Sequence, residues 1–188
     1  RMLTEQEDTY YYLTLMNENY AHPDMPKGAE DGIIKGMYLL RDSVSGNGDS
    51  GKAKSKSKAP TVQLLGSGTI LREVIAAAEL LAQDWQVDTE VWSATSFSEV
   101  SREAREAQRW NRLHPEASPR ESHLQHCLGG EAPVIAASDY VRAWPQLVAS
   151  HLRAPFTVLG TDGFGRSDTR AALRRFFEVD RHQIVLAA

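Results

Sequence analysis

The sequence predicts an α/β domain with a mostly parallel sheet and helices on both faces. Three observations lead there. Four short apolar runs, at Thr61 to Leu65, Thr89 to Phe97, Pro133 to Ala137 and Phe156 to Leu159, alternate with stretches of helical periodicity. Glycine turns follow the first and last of these runs, at Gly66-Ser67-Gly68 and at Gly160 to Gly165. The chain has 188 residues, of which 41% are hydrophobic, enough to bury both faces of such a sheet.

Thr9 to Met16, rich in aromatic and β-branched residues, reads as a buried strand. The polar turn Asn17-Glu18-Asn19-Tyr20 ends it, and Pro23 and Pro26 then favour an extended segment. This pattern predicts the last strand and exit segment of a preceding domain over 1–26, with the main domain over 27–188. Gly32 to Leu40 reads as a short helix or strand, and Met37 to Leu40 could add an edge strand. Ser43 to Pro60 lacks apolar periodicity and carries Lys52, Lys54, Lys56 and Lys58, which predicts a solvated loop or a weak electrostatic docking tag.

Thr69 to Trp85 is the clearest helix. Ile70, Leu71, Val74, Ile75, Ala78, Leu81, Ala82 and Trp85 share one face, while Arg72, Glu73, Glu79, Gln83 and Asp84 should face water. Thr69 is the expected cap. Ser98 is the expected cap of the next helix, supported by Glu99–Arg102 and Arg102–Glu106 pairs and ended by Pro115 and Pro119. A short helix should run from Glu121 to Cys127. Asp139 should open an amphipathic helix to Leu152, with Pro145 in its first turn or at a kink. Ser167 or Asp168 should open a helix to Glu178, and Asp180 with Gln183 has a capping-box pattern for a last one.

A net charge of −4 provides no global basic field for nucleic acid or an anionic membrane. No apolar run approaches the roughly 18 residues of a membrane span. The single cysteine, Cys127, has no partner for an internal disulfide and suits a cytoplasmic setting. The first residue is not Met and the last residues read as helix, so both ends are expected to be cut from a longer polypeptide.

Several motifs invite chemistry. Gly66-Ser67-Gly68 lacks the third glycine of a dinucleotide loop, since Leu71 stands there, and no acidic residue follows the second strand. His123, His126 and Cys127 are too few for a zinc site. The turn Gly163-Phe164-Gly165-Arg166-Ser167 could hold a phosphate or carboxylate, or could be a capped turn with Arg166 in a salt bridge. Glu18, Tyr20 and His22 follow the carboxyl end of a strand, where a carboxylate and an imidazole could transfer protons, or could form a polar domain junction.

Taken together, several strings resemble the homodimeric, thiamine-diphosphate-dependent pyruvate dehydrogenase family. They are Asn17-Glu18-Asn19-Tyr20, Pro26-Lys27-Gly28-Ala29-Glu30, Val62 to Gly68, Arg109-Trp110-Asn111 with Leu113-His114-Pro115, and Gly160 to Asp168. The resemblance implies a transketolase C-terminal-like, three-layer αβα domain. It also implies thiamine diphosphate and Mg2+ as cofactors with ligands upstream of this chain, and pyruvate as substrate. The implied partners are a lipoylated dihydrolipoyl acetyltransferase and a second copy in a homodimer. In that family a histidine after the Asn-Glu-Asn-Tyr string lies near the substrate adduct. Here Ala21 follows Tyr20 and the histidine is His22, so the resemblance implies His22 and Glu18 as catalytic residues. It implies that this piece alone is inactive. The rival expectation is a non-catalytic module that binds an anion or partner at the Gly163 to Ser167 turn.

Overall fold

A computed structural model describes residues 1–11, 19–42 and 61–188. Its centre is a five-stranded sheet, built from β1 (Met37–Arg41), β2 (Thr61–Gly66), β3 (Asp88–Ala94), β4 (Val134–Ala137) and β5 (Phe156–Leu159), in the order β1-β3-β2-β4-β5. The four strands from β2 onward are parallel, with Leu64 opposite Val91 and Ile135, and Ile135 opposite Thr157. β1 is one edge strand, with β5 at the other edge, and pairs antiparallel to β3, Leu39 opposite Trp92.

The helices are α1 (Glu30–Ile34), α2 (Leu71–Leu80), α3 (Phe97–Leu113), α4 (His123–Leu128), α5 (Ala143–Gln146), α6 (Arg170–Phe176) and α7 (Arg181–Ala187). Strand alternation sends Leu65, Trp92, Val134 and Ala136 to one face, where they pack against α3, α4 and the segment around Val148. Val62, Leu64, Val91 and Ile135 reach the other face and meet α2 and α7. Both faces of the parallel strands are therefore covered, which is why β2 and β4 are almost continuously apolar and buried.

This topology creates a switch point. From β2 the chain crosses one face through α2 to β3. From β3 it crosses the other face through α3 and α4 to β4, on the far side of β2. The segments leaving β2 and β4 therefore diverge to opposite faces and open a crevice at the carboxyl edge of the sheet.

Several sequence expectations are corrected. Gly32 to Leu40 holds both a helical turn and a strand, split at Gly36, where φ is +95°. Thr69 does not cap α2; a 3-10 turn, Gly68–Ile70, precedes that helix, and no side chain caps it. Glu73 is buried rather than solvated. Trp85 is 67% exposed because the helix widens into a π turn over Leu81–Trp85, which breaks the 3.6-residue phase of the apolar stripe.

The third strand stops at Ala94, and Phe97 begins α3 rather than ending the strand. Ser96, not Ser98, caps α3 by accepting from the Glu99 N–H. The helix expected from Asp139 to Leu152 is only α5 and a 3-10 turn, Ala149–His151. Side chains capture its would-be donors: the Tyr140 N–H donates to Ser138 Oγ and the Arg142 N–H to Asp162 Oδ1. Thr169, not Ser167 or Asp168, caps α6. That helix stops before Glu178, which sits at φ +58°.

Other expectations match. The Arg102 pairs with Glu99 and Glu106 form on α3. The short helix expected from Glu121 to Cys127 forms as α4, opened by a Ser122–Gln125 capping box that was not expected. Asp180 caps α7 by accepting from the His182 and Gln183 N–H groups. Residues 12–18, which hold most of the first expected strand, and 43–60, the expected Lys/Ser loop, lie outside the described residues.

Candidate functional site

A cleft of about 350 Å³ lies at the switch-point crevice. Each neighbouring strand delivers one polar group to it: Thr69 beyond β2, Asp139 beyond β4 and Thr161 beyond β5. Backbone bonds tie these three segments together. The Ser67 N–H donates to the Ala137 carbonyl (3.2 Å), and the Thr161 N–H to the Tyr140 carbonyl (2.9 Å). Thr161 Oγ1 donates to the Asp139 carbonyl at 2.6 Å. The far wall is the 163–166 turn and α6, with Arg166, Arg170 and Arg174.

The Asp139 carboxylate fixes the character of the cleft. It accepts from Thr69 Oγ1 at 3.4 Å. Its Oδ1 lies 3.3 Å from where a side chain on Gly68 would begin, beside the start of the 3-10 turn and α2. An internal anion thus occupies the place an external one would take at that helix entrance. Gly68 itself has φ +58°, a conformation glycine adopts without strain.

Among the described residues Arg166 does not form the expected salt bridge. Its guanidinium lies 4.0 Å from the Phe176 ring centroid. Arg174, on the cleft wall, pairs with Glu73 at 3.1 Å, and Arg181 reaches the same carboxylate at 2.9 Å. Burial pushes the Glu73 carboxyl up, but the hydrogen bonds and charge of Arg181, with the charge of Arg174, outweigh burial and hold it below its ordinary value. This triad locks α2 to the α6–α7 corner. Glu73 is over a hundred residues from either arginine in sequence, so no local pattern could announce it.

The residues expected to carry proton transfer are not assembled by the described part. Glu18 lies outside the described residues. His22 is exposed and does not line the cleft. Tyr20 does line it, with the Arg72 guanidinium 4.5 Å from its ring centroid. The 19–26 segment carries no helix or strand and brings Tyr20 to the cleft at the carboxyl edge of the sheet.

His123, His126 and Cys127 do not converge on a metal. The His123 ring Nε2 sits 2.9 Å from the Met37 carbonyl and ties α4 to β1. Cys127 packs against the apolar core, and burial pushes its thiol up to about 11. His114 satisfies the end of α3, its ring Nδ1 lying 2.9 Å from the Trp110 carbonyl.

Comparison with known proteins places this architecture. The model of the transketolase-like TK C-terminal domain family matches residues 50–180. The chain belongs to that family. Among curated proteins, it is 54% identical over 189 residues to the pyruvate dehydrogenase E1 component of Cupriavidus necator, covering 100% of this chain and 20% of that protein. It is 47% identical to the E1 component of Escherichia coli K12, covering 98% of this chain and 19% of that one. The chain thus spans about a fifth of the length of these relatives and corresponds to their C-terminal region. Among solved structures, transketolase from Leishmania mexicana superposes with a TM-score of 0.51 at 18% identity, over 84% of this chain and 18% of that one. A transketolase from Pichia stipitis gives 0.51 at 16% identity, with the same coverage of 84% and 18%. These two likenesses concern the fold.

Proposed function

We propose that this chain acts as the C-terminal domain of a pyruvate-decarboxylating dehydrogenase component. The whole protein would carry out oxidative decarboxylation of pyruvate and reductive acetylation of a lipoyl group on an acetyltransferase partner. It would do so as a cytoplasmic homodimer. The observation that carries this reading is identity of about half the residues with pyruvate dehydrogenase E1 components across the entire chain.

Thiamine diphosphate and Mg2+ are the cofactors this reading requires. Among the described residues, no group of three or more His, Cys, Asp and Glu side chains could hold a metal. The cleft offers one carboxylate, Asp139, already engaged by Thr69. These residues do not fit the cofactor, which we assign to the rest of the protein. The domain contributes shape: a rigid, doubly covered sheet whose carboxyl edge receives the chain arriving from 1–26. We assign 1–26 to the preceding, pyrimidine-binding domain and 27–188 to the C-terminal domain. Among the described residues, no helix is long and apolar enough to cross a membrane.

In this reading His22 donates a hydrogen bond or a proton to the pyruvate-derived adduct, and Glu18 orients the site. His22 stands at the junction of the two units, on the segment that holds Tyr20 against the sheet edge, and its exposure leaves the ring available to a neighbouring domain. The test is turnover of the full-length protein with pyruvate, thiamine diphosphate, Mg2+ and an artificial electron acceptor. His22→Ala should lower kcat by about 100-fold or more, the usual scale of a lost general acid, with the melting temperature unchanged. Glu18→Gln should lower it less. Undiminished kcat in His22→Ala would remove the catalytic assignment. No pyruvate-dependent turnover in the parent would remove the function.

A further inference from the structure

The Arg-Trp-Asn string at the end of α3 lies toward the opposite edge of the sheet from the cleft described above, and the proposed function does not use it. Trp110 and His114, one helical turn apart, stack with centroids 4.6 Å apart and planes inclined by 16°. The Arg120 guanidinium lies 4.0 Å from the centroid of the Trp110 ring. The Asn111 side chain clamps the Arg120 backbone: its Oδ1 accepts from the Arg120 N–H at 2.7 Å and its Nδ2 donates to the Arg120 carbonyl at 2.9 Å. One arginine is thus held at both ends, backbone and guanidinium.

That restraint matters because a free arginine gives up substantial rotamer entropy when it binds a ligand. Here much of that ordering is already in place. A cation–π contact of this kind does not consume the guanidinium N–H donors, which remain for planar acceptors. A second cleft, of about 320 Å³, opens beside it, lined by Asn111, Arg120, Gln125, His151 and Arg153 among others. Among the described residues neither Arg120 nor Arg153 is paired with a carboxylate. Glu121 is the only carboxylate on the lining, and it is exposed and bonded to neither arginine. Burial, with the charge of nearby Arg105, holds the His151 imidazole below its ordinary value.

Two unpaired guanidiniums on one small concave surface, one of them immobilised, are arranged for an oxyanion. We propose that this second cleft binds a small, multiply charged oxyanion, a phosphoryl or polycarboxylate group, with Arg120 supplying an oriented fork of N–H donors and Arg153 the second charge. The volume is at the lower end of the range for small-ligand pockets and suits one such group rather than a dinucleotide. The inference rests on these residues alone and is independent of the decarboxylase reading.

The test is nitrogen-15 NMR of the arginine Nε–Hε signals of the 188-residue chain. Sodium pyrophosphate and sodium citrate are titrated in separate arms, at constant ionic strength near about 0.1 M so that screening is fixed. The Arg120 and Arg153 signals should move saturably, with a dissociation constant of about 1 mM or tighter. The arm that saturates first tells phosphoryl from carboxylate ligands. Arg120→Gln and Arg153→Gln should each weaken binding about tenfold or more, while Arg109→Gln, on α3 beside Trp110 but outside the lining, should not. Far-UV circular dichroism checks that each variant is folded. If Arg120→Gln fails that check, Arg153→Gln carries the test, since Arg153 is exposed and makes no side-chain bond among the described residues. Four results would overturn the proposal. They are no saturable shift, equal weakening in Arg109→Gln, prior saturation at Arg166, and binding of an acidic peptide but of neither small anion.

Discussion

Glu73→Gln tests the physical account of the fold most sharply, because the substitution changes charge and hardly changes volume. The Glu73 side chain is 7% exposed. Its carboxylate accepts four bonds: from Arg174 Nη1 at 3.1 Å, and from the Arg181 N–H, Nε and Nη2 at 3.2, 2.9 and 3.3 Å. Removing one partner of a fully buried ion pair costs about 3–5 kcal/mol. Here the arginine side chains remain 19% and 46% exposed, so they can turn toward water and recover part of that loss. The expected cost is about 2 kcal/mol for Glu73→Gln, which keeps one acceptor oxygen, and about 3 kcal/mol for Glu73→Ala. For a chain of this size, about 2 kcal/mol lowers the melting temperature by about 4–8 °C.

The same side chain predicts a pH dependence with a definite sign. Its folded-state value is depressed below the ordinary 4.5. Its contribution is therefore complete above that value and is lost as pH falls through the folded-state value. The gap between wild type and Glu73→Gln, measured by urea unfolding, should be constant near neutral pH and close under acid. A melting temperature within about 1 °C of wild type at pH 7 would refute the reasoning, since it would put the net worth of the triad below about 0.5 kcal/mol. A gap that widened under acid would refute the sign.

Three further outcomes follow from single contacts. A side chain at Gly160 would meet the Tyr140 carbonyl at 2.7 Å and Arg142 Cγ at 2.9 Å, so Gly160→Ala should destabilise by about 1–3 kcal/mol in urea unfolding. Ser122→Ala removes the capping-box hydroxyl and should cost about 1 kcal/mol by the same measurement, with Ser122→Asn recovering most of it. With its thiol pushed up to about 11, Cys127 at pH 8 should hold only about a thousandth of its population as thiolate, so Ellman's reagent should label it far more slowly than it labels glutathione.

The parts of the molecule legible in the sequence share one property: short-range physics decides them. The β2 and β4 runs are apolar because both faces are covered, and Arg102 pairs with Glu99 and Glu106 within four residues on α3. Local signals misled where a distant partner entered. Glu73 sits on what spacing reads as the wet side of α2, and only the return of Arg174 and Arg181 makes that side an interior. Asp139 looks like a helix cap, yet its carboxylate turns back to Thr69 across the switch point. Trp85 follows the apolar stripe in sequence but leaves it where the π turn changes the helical phase. The cleft was half legible: its position follows from parallel topology and the glycine turns, whereas its three-strand lining depends on strand order. His22 and Glu18 rest on resemblance to a family and not on any geometry among the described residues.

Isothermal titration of the 188-residue chain with thiamine diphosphate and Mg2+ tests most directly the claim that this domain shapes an active centre whose coenzyme is held elsewhere. The account predicts no heat of binding here, together with thiamine-dependent oxidation of pyruvate by the full-length protein. Saturable binding at micromolar coenzyme to this chain alone would contradict it, because the cradle would then lie within these residues.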